Sequence, residues 1–181
     1  AGLAVGASRG YIYIRSEYPH AIATLHHAIA TARQRGVLND DFDVDVRHET
    51  THALLHAVLA DVPLWLDEGL AEYFEAPRDQ RAGGNPYLAH LRWQAWVSPM
   101  PRLEDLESVI DLGGMGRGEY RSAWGWVHFL LHGPPELRGE LVRYLADLRS
   151  GVEVERLGTR LLRRAPDRDD QFVRHFKQFK G

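Results

Sequence analysis

Residues 48–52 read His-Glu-Thr-Thr-His. Two histidines four apart lie on one face of a helix, one turn above the other, so their rings can reach a single metal ion. Glu49 sits about 100° around the axis from His48. There it can face a water in an open metal position without being a ligand itself. Two imidazoles for zinc and one carboxylate to take a proton from water is the chemistry that HExxH spacing serves. The flanks suit a helix over 43–60: Val44, Val46, Leu54, Leu55, Val58 and Leu59 are apolar, and Asn39 to Asp43 supplies N-caps. The same spacing also arises by chance and in helices whose histidines only pack. A metal site therefore needs a third ligand nearby.

The next helix is the place to seek it. After Pro63, which fits a first helical turn, the chain reads Leu-Trp-Leu-Asp-Glu-Gly-Leu-Ala-Glu-Tyr-Phe-Glu75. Together with His48–His52 this segment resembles the gluzincin pattern of thermolysin-like peptidases and zinc aminopeptidases, and most closely the bacterial peptidase MA-like families. The resemblance implies a zincin-like fold, one zinc ion per chain, and Glu68, the Glu before the Gly, as third ligand. It implies that Glu72, one turn on, orients His48 from behind. Glu119-Tyr-Arg-Ser-Ala-Trp-Gly-Trp-Val-His-Phe-Leu130 resembles the aminopeptidase helix whose Tyr hydroxyl steadies the oxyanion. Carried over, that residue is Tyr120, with a plain core tyrosine as the competing reading and His128 as the next polar candidate. The metzincin alternative fails, because Leu55 and Val58 stand where its Gly and third His belong. His56, four beyond His52, reads as a packing residue or an outer hydrogen-bond partner. The chain also departs from the resemblance. Fifteen residues separate His52 from Glu68, against roughly eighteen in the aminopeptidases, and the Gly-x-Met-Glu-Asn segment that holds a free N-terminus is absent. The implied activity is peptide-bond hydrolysis, endopeptidase rather than aminopeptidase. The alternative is a zinc-bearing binding or scaffold domain with little turnover, and a metal-free helical interaction module is a third reading.

The elements around these residues are expected to be mostly helical. Leu3–Val5 and Tyr11–Ile14 read as short strands between glycines, and Tyr11–Arg15 as an edge on which an extended peptide could pair. Residues 20–35 carry Ile22, Leu25, Ile29 and Ala30 at helical spacing. Beyond a Pro- and Gly-rich loop at 77–86, helices are expected near 87–97, 102–109, 118–132, 135–149, 153–164 and 167–179, with Gly and Pro between some of them. The expected architecture is α+β, predominantly helical, with a small N-terminal sheet, an active-site helix carrying HExxH and a helical C-terminal part. It is read as one catalytic domain over 1–181, with strands and zinc-site helices in 1–76 and helices in 77–181.

Composition narrows the chemistry further. The 181 residues are 44% hydrophobic and 26% charged, with a formal net charge of -3, which gives no general pull toward nucleic acid or an anionic membrane. The basic residues of 156–180 are interrupted by Asp167, Asp169 and Asp170 and read as a solvated helical surface. The chain has no cysteine, which removes thiol catalysis and cysteine-ligated zinc. The expected partner is a peptide or protein substrate. No run is long and apolar enough to span a bilayer, and no signal peptide is visible. A start at Ala1 rather than Met is what a secreted, processed form or a fragment would show, and compartment and oligomeric state stay open.

Overall fold

The computed structural model describes residues 5–8, 11–14, 40–59, 61–151 and 153–179. The chain divides into two compact units, Ala1–Asp45 and Val46–Gly181. In the first, β1 (Val5–Ser8) and β2 (Tyr11–Ile14) form an antiparallel hairpin, Val5 opposite Ile14 and Ser8 opposite Tyr11. The helix expected over 20–35 lies outside the described residues, as does Arg15 of the expected edge.

The α+β expectation with its small N-terminal sheet is corrected. Among the described residues of 46–181 every regular element is a helix. Two four-residue strands that, among the described residues, pair only with each other do not make a layer that helices can cover; a hairpin alone is marginal, and three or more strands are needed for a stable sheet. The described fold is predominantly helical.

Eight α-helices follow the hairpin among the described residues. They are α1 (Asp40–Val58), α2 (Leu64–Phe74), α3 (Pro86–Val97), α4 (Leu103–Glu107), α5 (Arg117–His132), α6 (Pro135–Ser150), α7 (Leu157–Arg164) and α8 (Arg168–Gln178). Local chemistry sets many of the ends. Asn85 caps α3 by accepting a 2.8 Å hydrogen bond from the Tyr87 amide, with Pro86 in the first turn. Glu119 reaches back to the Gly116 amide at 3.0 Å to start α5. Gly151, at φ +69°, ends α6 in the left-handed region that glycine occupies freely. Between α1 and α2, Asp61 turns the chain at φ +49°, a conformation Asp tolerates better than most residues.

The core is centred on α2 and α5. Trp65, Leu66, Leu70 and Ala71 of α2 are buried with Ala123, Trp124, Trp126, Val127, Phe129 and Leu130 of α5. The two helices come so close that a methyl on Gly69 would stand 2.8 Å from the Ala123 carbonyl oxygen and 2.9 Å from Val127 Cγ2. On the other side of α5, Trp126 stacks on Phe172 of α8 at 4.2 Å between ring centroids. Arg168, almost wholly buried, crosses this layer to Glu104 and the Gly158 carbonyl. With α5 packed from several sides, α2 is held on a rigid base, and its polar edge is presented to α1.

Candidate metal centre

The histidines of α1 and the carboxylates of α2 meet along that edge. His48 Nε2 and His52 Nε2 are 3.1 Å apart. Glu68 Oε2 lies 3.7 Å from each of them. The equidistant point in the plane of three atoms so spaced is about 2.0 Å from each, which is a metal–ligand bond length for imidazole and carboxylate. These three residues form a group that could hold a metal ion.

The outer hydrogen bonds decide which ring nitrogens carry protons. His52 Nδ1 is 2.8 Å from Asp67 Oδ1. His48 Nδ1 is 3.3 Å from Glu75 Oε2. A carboxylate only accepts, so each Nδ1 carries the hydrogen and donates it. In neutral rings so protonated, both Nε2 lone pairs face each other and the Glu68 carboxylate. Three electron-pair donors at this spacing are satisfied by a cation among them, whether a metal ion or a proton on one ring. Such outer carboxylates are the usual means of fixing a ligating ring.

Two further donor groups adjoin the first and share its histidines: His52, His56 and Asp67, and His48, Glu72 and Glu75. His56 Nε2 donates to Asp67 Oδ2 at 2.8 Å. The Glu72 carboxyl accepts from the Tyr87 hydroxyl, and burial, reinforced by the charge of Glu75, raises its pKa to about 7. His48 is shifted the other way in charge terms. The Glu75 hydrogen bond holds its pKa above the ordinary histidine value against the cost of burial, helped by the charges of Glu72, Glu75 and Glu68.

The residues marked out by the sequence fall as follows. His48, His52 and Glu68 converge. Glu49 is exposed on α1 beside His48. Glu72, expected behind His48, is near it electrostatically, while the carboxylate hydrogen-bonded to His48 is Glu75. Tyr120 begins the second turn of α5, partly buried; burial and then the charges of Glu68 and Glu72 raise its phenol pKa. Its ring packs against the core, within electrostatic reach of those two carboxylates of α2. His128 belongs to the core: it is fully buried, donates from Nε2 to the Ala82 carbonyl at 2.9 Å, accepts at Nδ1 from His175 Nε2 at 3.0 Å, and stacks on Trp124. Burial drives its pKa down to about 3. The sequence reading missed Asp67 and Glu75. The signal for Asp67 was present in an acid directly before Glu68, opposite a helix with His at 48, 52 and 56.

No protein-family model matches the chain, and no solved structure matches it. A 54-residue stretch is 44% identical to the NADP-reducing hydrogenase subunit HndC of Solidesulfovibrio fructosivorans. The match spans 26% of this chain and 11% of that protein. A segment of that extent does not fix a family and says nothing for or against hydrolysis. No described helix is long and apolar enough to cross a membrane.

Proposed function

We propose that the chain is a zinc-dependent peptidase, an endopeptidase rather than an aminopeptidase, with His48, His52 and Glu68 as the ligands of one zinc ion. The observation that carries this reading is the convergence of the two Nε2 atoms and the Glu68 oxygen at 3.1 and 3.7 Å. Imidazole and carboxylate donors at this spacing suit zinc, and three protein ligands leave a coordination position open. Bound there, zinc supplies Lewis acidity, acidifying water and polarising a substrate carbonyl.

The chain's own groups would divide the remaining work. Asp67 and Glu75 hold the two imidazoles in the tautomer that leaves Nε2 unprotonated. Glu49, exposed on the helix beside His48, takes the proton of the attacking water and delivers it to the leaving amine, a role worth about 10²–10⁴ in rate. Tyr120 donates its hydroxyl hydrogen to the oxyanion of the attacked carbonyl.

Elemental analysis of protein purified with zinc and without chelator, paired with digestion of a mixed peptide library, tests this. One zinc per chain and cleavage that is lost in Glu49→Gln support it. Metal far below one equivalent sinks the metal centre. Full zinc with no cleavage of any peptide leaves a zinc-bearing binding domain instead.

A further inference from the structure

His56 lies outside the ligand triangle, yet it is tied to it. Its side chain is 57% exposed, and an exposed histidine ordinarily gives up rotamer freedom only for a return. Here Nε2 is held 2.8 Å from Asp67 Oδ2, while the other oxygen of the same carboxylate is held 2.8 Å from His52 Nδ1. The rings of His52 and His56, one turn apart on α1, lie 6.4 Å apart and nearly parallel, 29° between planes. Asp67 is thus spanned at both oxygens by one face of one helix.

His52, His56 and Asp67 are also donors close enough to share an ion, but their spacing favours protons. Ligand atoms about 2.05 Å from a tetrahedral metal stand roughly 3.3 Å apart. The edges of the His48–His52–Glu68 triangle, at 3.1 and 3.7 Å, straddle that figure. The two contacts to Asp67, both 2.8 Å, have the length of hydrogen bonds to an ionised acceptor.

We infer that His56 is a positioning residue for the metal centre: its hydrogen bond to Asp67 Oδ2 fixes that carboxylate, which in turn fixes the ring of His52. A carboxylate bound at one oxygen can swivel about its terminal torsion, which is broad for Asp. Bound at both, it presents Oδ1 to His52 in one orientation. The inference rests on the proposed zinc site.

Zinc affinity, measured with zinc alone by competition against a chromogenic chelator, tests it. A direct partner of a ligating histidine is worth about 10–100-fold in affinity. His56, one bond further out, should be worth about 3–10-fold when replaced by Leu, below that direct-partner range. His56→Gln places an amide N–H where Nε2 stands and should return affinity to within about 2-fold of wild type, since the donor inventory is the same at that point. In an Asp67→Ala background, His56→Leu should change nothing further, because the pair acts as a unit. His56→Leu binding zinc as tightly as wild type overturns the inference, and so does an equal loss in the Leu and Gln variants. A wild type that binds no zinc overturns the metal reading itself, which is a separate result.

Discussion

Replacing the outer carboxylates of the ligand pair should grade zinc affinity by hydrogen-bond length. Asp67 meets His52 at 2.8 Å, while Glu75 meets His48 at 3.3 Å. A charge-assisted N–H···O bond is strongest near 2.7–2.9 Å, so Asp67 belongs at the upper end of the ~10–100-fold range for such partners and Glu75 at the lower. Asp67→Ala is therefore expected to weaken zinc binding by about 100-fold, roughly 2.7 kcal/mol, and Glu75→Ala by about 10-fold, roughly 1.4 kcal/mol. Glu72→Ala should cost less than Glu75→Ala, because the Glu72 carboxyl accepts from Tyr87 and acts on His48 only through its charge. Chelator competition gives the affinities directly. Metal-induced stabilisation gives them independently, since at saturating zinc each tenfold loss of affinity removes about 1.4 kcal/mol of stability. Glu72→Ala weakening zinc more than Glu75→Ala, or Asp67→Ala binding as the wild type does, would refute the assignment of tautomers on which the site is built.

Three other outcomes are expected. Glu49→Gln should keep one zinc and the fold while peptide hydrolysis falls by at least about 10²; steady-state rates alongside metal analysis decide it. Tyr120→Phe should lower the rate with zinc content unchanged, as removal of an oxyanion donor does, and an unaltered rate would return Tyr120 to the core. The third concerns acid. Burial holds His128 at about 3 and His175 at about 4, so as pH falls from about 6.5 the unfolded chain takes up two protons that the folded chain refuses. Each should remove stability at up to about 1.4 kcal/mol per pH unit, down to about pH 3 for His128 and about pH 4 for His175. Glu72, raised to about 7 by burial, works the other way: the folded chain binds its proton first, which adds stability as pH falls toward 4.5. In metal-free protein, urea unfolding of His175→Phe between pH 6 and 5 should show a slope flatter than wild type by about 1.2 kcal/mol per unit; parallel slopes would refute the assignment.

Part of the site was readable from local periodicity. The shared face of His48 and His52 was legible because a four-residue spacing dictates it on any helix, whereas Glu68 came from the resemblance, as the Glu before the Gly on the next helix. The identity of the carboxylate behind His48 was not legible. Helical phase alone puts Glu72 in line with Glu68, but which acid meets a ring on another helix depends on how α1 and α2 lie against each other. That arrangement gives the hydrogen bond to Glu75 and leaves Glu72 to Tyr87. The fold class failed for a related reason. The residues of Tyr11–Ile14 favour an extended backbone, but the number of strands that join a sheet is a long-range property, and among those described only Val5–Ser8 pairs with it. The start of α7 also moved, from an expected 153 to Leu157, because Arg156 at its N-cap has ψ 137° and the backbone becomes helical only after it.

The bare flank of Gly69 makes α2 a gauge block. With the Ala123 carbonyl and Val127 Cγ2 where a side chain would begin, α2 is spaced from α5 in part by backbone, which no rotamer change can move aside. Asp67 and Glu68 are the two residues directly before Gly69, so a shift of the helix there moves their backbone too. A single methyl at position 69 would demand a displacement on the order of half an ångström to regain ordinary packing. Such a shift, carried along α2 toward Glu68 and Asp67, would detune the site without touching any of its polar atoms.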